Sequence, residues 1–385
     1  MAEPDKPRYR AIDACRGLAL VYMIYNHGFR LTVDPATMEL EPGQLDWWLW
    51  LVCKAAPSLF FFCFGFMLGV IYMDPKRSFS FGQVSRRLWK RALLVFVSYK
   101  ILLLLELAAF GKRPATLWLA LQYRWLGQWV EILNFYAIVL LFAPPALWLW
   151  RRMPAVLRWL APVVLAASVQ YLQGFLWKNS ILQAILVGRQ GFYVFSILPW
   201  LLPVLLGLLF GELHPRLAAR GRIRVVLMCL LSSLALFLLF QLGTRHLTSS
   251  GYAVGEARWS ESGESPSGDL MEAVLFRWKH PPRLVYLAWT TAYAMLYVAF
   301  VFALMGVEAR APSRWAVLET IGRNSLFQFN LHFSLLMAGV GLFLGRLREL
   351  PAVEARWCGA ALALFCMFCG VVVDRVFLQK PVPRE

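Results

Sequence analysis

The chain has 385 residues, of which 59% are hydrophobic and only 16% charged, with 17 Trp, 28 Phe and a net charge of +17. A soluble globular chain carries about 45–50% apolar and about 25% charged residues, so this composition excludes an ordinary water-soluble domain, and with it disorder, collagen and coiled coil. It fits a polytopic membrane protein, for which length gives no count of domains. The fold expected is an all-α membrane helix bundle, one integral-membrane domain over residues 1–385.

A spanning helix needs ~20 mostly apolar residues. Ten segments meet this: 17–33, 50–73, 92–110, 129–150, 156–173, 192–211, 224–243, 284–306, 320–344 and 355–378. The second and ninth run long enough to be tilted or preceded by interfacial turns. Trp118–Trp125 and Phe175–Val187 are too short to span and read as interfacial or re-entrant pieces. The first apolar run follows a polar start and has no small-residue cleavage site, so it reads as a retained span, not a signal peptide. Trp47, Trp48, Trp50, Trp125 and Trp129 suit an interfacial aromatic belt.

Orientation follows the Lys/Arg bias. With the N-terminus inside, inner segments and inner helix ends hold 23 of the 39 Lys and Arg residues. Most of the positive charge then lies on the cytoplasmic side, both termini are cytoplasmic, and the basic balance does not imply nucleic acid. The polar segment 244–283, rich in Ser, Gly and Glu, falls outside; a flexible spacer and a lid over an outer-face site describe it equally well. No internal repeat is visible, which weighs against an inverted-repeat transporter.

The seven cysteines do not form a disulfide framework. Six lie in or beside apolar runs, and the Cys366-x-x-Cys369 pair reads as two small apolar helix residues before it reads as a metal or redox site. Phosphate-binding loops, zinc-type spacings and the serine-nucleophile elbow are missing from the sequence. His214, His246 and His280 fall in loops and read as solvated.

The first span carries the strongest signal, in Arg8-Tyr-Arg-Ala-Ile-Asp13-Ala-Cys-Arg16-Gly-Leu-Ala-Leu-Val-Tyr-Met-Ile-Tyr-Asn-His27-Gly28. Arg16 and His27 are eleven residues apart, so on a helix they lie within ~20° of one direction and ~16 Å apart along the axis. The cation sits at the inner rim and the imidazole deep in the membrane. Asp13, one turn below Arg16, is spaced for an ion pair but too far to orient His27. An ionisable side chain at membrane depth is costly and marks a functional candidate; a hydrogen-bonded interhelical histidine is an equally good account of His27 on polarity alone, and Arg16 alone reads as a positive-inside anchor.

This stretch resembles the first helix of the acyltransferase-3 superfamily of integral-membrane acyltransferases, which carries an Arg/Lys-x10-His pattern in a Leu-Asp-x-x-Arg-Gly-Leu-Ala context; the run here is Ile12-Asp13-Ala14-Cys15-Arg16-Gly17-Leu18-Ala19. The osmoregulated periplasmic glucan succinyltransferases, and more distantly the glucosaminide N-acetyltransferases, open similarly. Further segments agree in order. Ser58–Gly69 resembles a Phe-Phe-x-x-Ser-Gly-Phe element with Phe64 in place of Ser. Arg86-Arg87-Leu88-Trp89-Lys90-Arg91 resembles the basic run that opens the third span. Glu131–Tyr136 resembles the polar-aromatic start of a middle span. Gly322–His332 resembles a late Gly-x-x-Ser-Leu-x-x-(Tyr/Phe)-x-x-His element.

The resemblance implies transfer of an acetyl or succinyl group from cytoplasmic acyl-CoA to a hydroxyl of a cell-envelope carbohydrate at the outer face, in a bacterial cytoplasmic membrane. Acyl-CoA is then the donor substrate, with no metal, and the partners are the bilayer, the glycan acceptor and the donor. His27 is the expected general base, an acyl-histidine intermediate being the rival. Arg16, Arg86, Arg87, Lys90 and Arg91 are candidates for the phosphates of CoA. Glu131, Asn134, Ser325, Asn330 and His332 are candidate substrate contacts. Ser325 and His332, seven residues apart, share a helix face, whereas Asn330 lies on another. Glu131 and Asn134 read equally as a solvated pair at the outer rim. The competing function is a transporter or exporter of a polysaccharide precursor.

Overall fold

The computed structural model describes residues 9–33, 45–74, 79–127, 129–175, 177–189, 195–218, 221–249, 282–305, 315–343 and 350–378. The described residues form an all-α bundle, with an isolated β-bridge between Val33 and Leu350. In chain order the helices are α1 (Arg10–Thr32), α2 (Leu45–Lys54), α3 (Ala56–Tyr72), α4 (Phe81–Ala109), α5 (Pro114–Leu121), α6 (Glu131–Arg152) and α7 (Ala155–Gln173). There follow α8 (Ser180–Leu186), α9 (Ile197–Ala218), α10 (Arg222–Ser249), α11 (Leu284–Met305), α12 (Ala316–Arg323), α13 (Ser325–Phe343) and α14 (Ala352–Val373), the last continuing into a π turn at Asp374–Leu378. Of the polar segment 244–283, residues 250–281 lie outside the described residues.

Each of the ten apolar segments contains helix, but among the described residues only eight helical stretches are long and apolar enough to cross a membrane, with α2 and α3 counting together as the one stretch Trp47–Tyr72. The two exceptions carry the strongest motifs. α1 has the length, 23 residues, but holds Arg10, Asp13, Arg16, His27 and Arg30. The apolar part of α13, Ser325–Val340, is short. Both long segments are broken rather than continuous. The second divides into α2 and α3 at Ala55, and the ninth into α12 and α13 at Asn324. The two short segments appear as the eight-residue α5 and the seven-residue α8.

Small residues set the helix contacts, as expected where lipid offers no hydrophobic drive for helix association. Gly65 and Gly69 on α3 lie against the backbone of α9 at Val204 and Leu208, while Gly207 and Gly211 on α9 lie against α3 at Phe62 and Phe66. Neither face has room for a Cβ. The same device joins α1 to α12, where Gly17 meets the Leu318 carbonyl and Gly322 meets that of Asp13. This contact brings the end of α12 against the Arg16 turn of α1. An ion pair from Arg10 to Glu319, 2.8 Å, adds to it. α4 starts at a capping box made by Ser80 and Gln83, which ends the loop before the basic run. Outward faces are apolar, as with Leu231 and Leu234 on α10 or Leu364 and Phe368 on α14, and suit lipid.

Candidate active site

Arg16 and His27 both turn to the same partner helix. The Arg16 Nη2 donates to Ser325 Oγ at 2.7 Å, and the His27 ring meets that of His332 with Nδ1···Nε2 3.2 Å. The eleven-residue spacing on α1 is thus matched by the seven-residue spacing on α13. Asp13 stands 3.7 Å from Arg16, the ion pair expected from the sequence.

The hydrogen bonds fix the tautomers of the neutral pair. The Nδ1 of His332 lies 3.0 Å from the Gln328 carbonyl, and a carbonyl oxygen only accepts. His332 therefore carries its proton on Nδ1 and presents a lone pair at Nε2. His27 must donate to it from Nδ1, so the lone pair of His27 is on Nε2. His332, fully buried, thus holds the His27 ring in one orientation through Nδ1. Trp129 packs edge-on against His27, centroids 5.4 Å apart, with the Arg30 guanidinium 5.7 Å over the indole. Trp129 is therefore part of the histidine's surroundings.

On the Arg16 side of the histidine pair lies a cavity of about 480 Å³ between α1, α3, α4, α6, α12 and α13. Arg16, Arg91, Arg323, Asn324 and Ser325 line one end; Met23, Phe60, Leu133, Tyr136 and Phe329 line much of the rest. The lining reaches Met23, one turn before His27, and does not include His27. Two of the three arginines have carboxylate partners, Asp13 for Arg16 and Asp374 for Arg323. Asn324 donates to the other oxygen of Asp374 at 3.2 Å, so the π turn after α14 holds the cavity mouth.

Several sequence candidates are placed elsewhere. Arg86, Arg87 and Lys90 are exposed and do not line the cavity; Arg87 covers the Phe79 ring at 4.8 Å. Of the basic run only Arg91, itself exposed, lines the cavity; Arg86 and Lys90 point about 100° or more away from it around α4, and Arg87, on nearly the same face, lies one turn off along the axis. Glu131 and Asn134 are fully buried, not solvated at a rim. The Asn134 Oδ1 accepts from the Tyr123 hydroxyl at 2.7 Å. Asn330 reaches α4, its Nδ2 donating to Ser98 Oγ at 3.3 Å. His214 is buried at the end of α9 among Tyr9, Phe66 and Phe302, because α9 continues through Pro215 where the sequence suggested a loop. Of the other two histidines, only the helical backbone of His246 lies within the described residues. The seven cysteines are free thiols.

Sequence reasoning missed Arg323 and Asn324 as site residues, though both stand inside the late element, directly before Ser325. It also missed Tyr123. After α5, Tyr123 N–H bonds Ala120 O and Arg124 N–H bonds Leu119 O, the Schellman pattern, with Tyr123 at the left-handed position usually held by Gly. Its φ is +59°. The side chain offsets that strain: the ring covers the Lys100 ammonium at 3.7 Å while the hydroxyl holds Asn134. Burial pushes the Tyr123 phenol up to about 12, so it remains the donor. Lys100 in turn caps α5 through the Ala120 carbonyl, 2.8 Å.

The family pattern described as heparan-alpha-glucosaminide N-acetyltransferase, catalytic, matches residues 8–242, more than half of the chain. That match shows a family of the membrane acyltransferase type and does not show the acyltransferase-3 superfamily specifically; it is the more distant of the relations suggested by the first helix. The matched stretch contains Arg16, His27 and Arg91, whereas Ser325 and His332 lie beyond it. No curated protein matches the chain.

Proposed function

The chain belongs to the heparan-alpha-glucosaminide N-acetyltransferase catalytic family, membrane enzymes that transfer acetyl groups, and from that premise we propose that it moves acetyl from cytoplasmic acetyl-CoA to a carbohydrate acceptor at the opposite face. The observation that carries this reading is the two-point contact of α1 with α13, Arg16 on Ser325 and His27 on His332, with a cavity starting at the first point and ending one turn before the second.

In this reading the Arg16, Arg91 and Arg323 guanidinia receive the phosphates of CoA at the inner mouth, where planar forks suit phosphate oxygens. The apolar walls at Phe60, Leu133 and Phe329 receive the pantetheine arm. The acceptor approaches Nε2 of His27, which takes its proton while His332 steadies the imidazolium through Nδ1. The acceptor nucleophile is the amine of an amino sugar, which the family's description favours over the hydroxyl expected from the first-helix motif. The positive-inside bias supports entry of CoA from the cytoplasmic side. Nothing in the family supports the exporter reading.

The test is acetyl-CoA with the purified protein in lipid discs. Thermal stabilisation by acetyl-CoA and release of free CoA on adding glucosamine are expected, with glucose as the hydroxyl-only control. Stabilisation is lost in Arg16→Ala and turnover in His27→Ala. A protein that neither binds acetyl-CoA nor releases thiol refutes the proposal. Faster turnover of glucose than of glucosamine returns the acceptor to a hydroxyl. A radiolabelled acetyl group retained on the protein without acceptor, and absent in His27→Ala, replaces the general base with an acyl-histidine.

A further inference from the structure

We propose that Arg30 and Tyr286, with Trp129 between Arg30 and the base, form an anion subsite for the acceptor beyond His27, so that the sugar taken there carries a phosphate or a carboxylate besides its amine. The inference rests on the reading above that His27 faces the acceptor, and adds the acceptor's charge to it.

Helical register and one shared indole place the site. Arg30 follows His27 by three residues on α1, so it lies on the neighbouring face and about one turn nearer the end of the helix. His27 packs against Trp129 with ring centres 5.4 Å apart, and the Arg30 guanidinium carbon lies 5.7 Å from the Trp129 ring centre. Base and cation are therefore at most about 11 Å apart, a span that one pyranose with a charged substituent bridges. Neither Arg30 nor Trp129 lines the donor cavity, whose lining stops at Met23 on α1. Trp129, half-buried, offers apolar surface to the C–H side of a sugar ring.

The two donors are left without an acceptor. Arg16 and Arg323 have carboxylate partners in Asp13 and Asp374, whereas Arg30, exposed, has none among the described residues. The group within its electrostatic range is the Tyr286 phenol, near the start of α11. Tyr286 is fully buried, with Trp200 and Trp289 against its ring, and its hydroxyl has no hydrogen-bond partner among the described residues. A buried hydroxyl is normally satisfied, and an orphan calls for a reason; a phenol O–H donates as well as accepts. A guanidinium and a phenol from two helices, beside the base, suit one anionic oxygen cluster. An arginine in the last helical turn also complements the carbonyls of its own helix, but that account leaves the Tyr286 hydroxyl unsatisfied.

The test is a ratio: kcat/KM for an amino sugar bearing an anion over that for glucosamine, read as release of free CoA by the protein in lipid discs. Glucosamine 6-phosphate supplies the phosphate and muramic acid the carboxylate. A hydrogen bond to a charged group corresponds to about 10–150-fold, so in wild type at least one of the two is expected to exceed glucosamine by about 10-fold or more, and the larger ratio tells which anion the site takes. Arg30→Gln brings that ratio to about 1, Arg30→Lys keeps part of it, and Tyr286→Phe lowers it by about 3–10-fold. Acetyl-CoA stabilises wild type and variants alike, which controls for folding. A purely structural Arg30 slows both acceptors equally and leaves the ratio unchanged. Wild-type ratios within about 3-fold of unity for both anionic sugars, or a high ratio that survives Arg30→Gln, overturn the anion subsite, while turnover of glucosamine still upholds the acetyltransferase reading. If wild type neither binds nor cleaves acetyl-CoA, that reading fails and the subsite with it.

Discussion

Replacing His332 tests the site more sharply than replacing His27, because it removes the orienting partner and leaves the base. The His27–His332 bond, 3.2 Å between ring nitrogens, joins neutral groups in the resting state and becomes charge-assisted once His27 takes a proton. A bond to a charged group contributes about 1.5–3 kcal/mol, which corresponds to about 10–150-fold in rate at 1.36 kcal/mol per decade. His332→Asn and His332→Leu are therefore expected to lower kcat by about that factor, less than the ~10²–10⁴-fold attributable to the base itself. His332→Gln, whose amide oxygen can accept the same hydrogen, recovers part of the loss. Because His332 does not line the cavity, the KM for acetyl-CoA changes by no more than about 3-fold. The assay is release of free CoA under saturating acceptor, with acetyl-CoA stabilisation as the control for folding. A kcat within 2-fold of wild type in His332→Leu, with acetyl-CoA binding intact, refutes the tautomer argument.

Three further outcomes follow from the geometry. Arg91→Ala and Arg323→Ala each raise the acetyl-CoA KM about 10-fold or more, the scale of one charge-assisted bond, whereas Arg86→Ala and Lys90→Ala stay within 2-fold; steady-state kinetics of the four single variants separates them. Gly322→Ala places a Cβ against the Asp13 carbonyl and lowers stability by about 1–3 kcal/mol, as overpacking does, while Gly339→Ala, with open space around it, leaves the melting temperature of the disc-embedded protein unchanged or raised. Tyr123→Ala is less stable than Tyr123→Gly by about 1 kcal/mol, since both lose the ring and hydroxyl but only Ala keeps the left-handed strain; equal melting temperatures count against the strain.

The stripe on α1 was legible because helical geometry alone fixes it. Eleven residues return to nearly the same direction, so Arg16 and His27 share a face whatever surrounds them. The same arithmetic pairs Ser325 with His332. What no single helix reveals is that these two stripes face one another, since that depends on Gly17 and Gly322 letting α1 and α12 touch. Hydropathy located all ten apolar segments but not the breaks at Ala55 and Asn324, where apolar character continues while the helix does not. The basic run misled because its four cations cannot converge on one point: Arg86 and Lys90 turn about 100° or more away from Arg91, and Arg87, on nearly the same face, lies one turn off along the axis, so only Arg91 lines the cavity. His214 was read as solvated because Glu212, Pro215 and Arg216 surround it in sequence, yet its ring is enclosed by aromatics from other segments. Tyr123 had no sequence signal, as its role comes from a backbone conformation that local preference assigns to glycine.

The cavity's end one turn before His27 bears on how a membrane enzyme can use substrates from both sides. A channel open from the arginine mouth to the far face would pass water and protons down the bilayer's gradients and would expose a bound thioester to hydrolysis. In the structure the cavity's lining stops short of His27, whose ring is packed by His332 and Trp129. On the proposed reading the donor arm reaches the base only by displacing part of that packing, so the thioester itself keeps the passage closed while the acceptor approaches from the far side. The two polar pairs along the contact of α1 with α13, Arg16 with Ser325 and His27 with His332, then bracket the route from the cavity to the acceptor side.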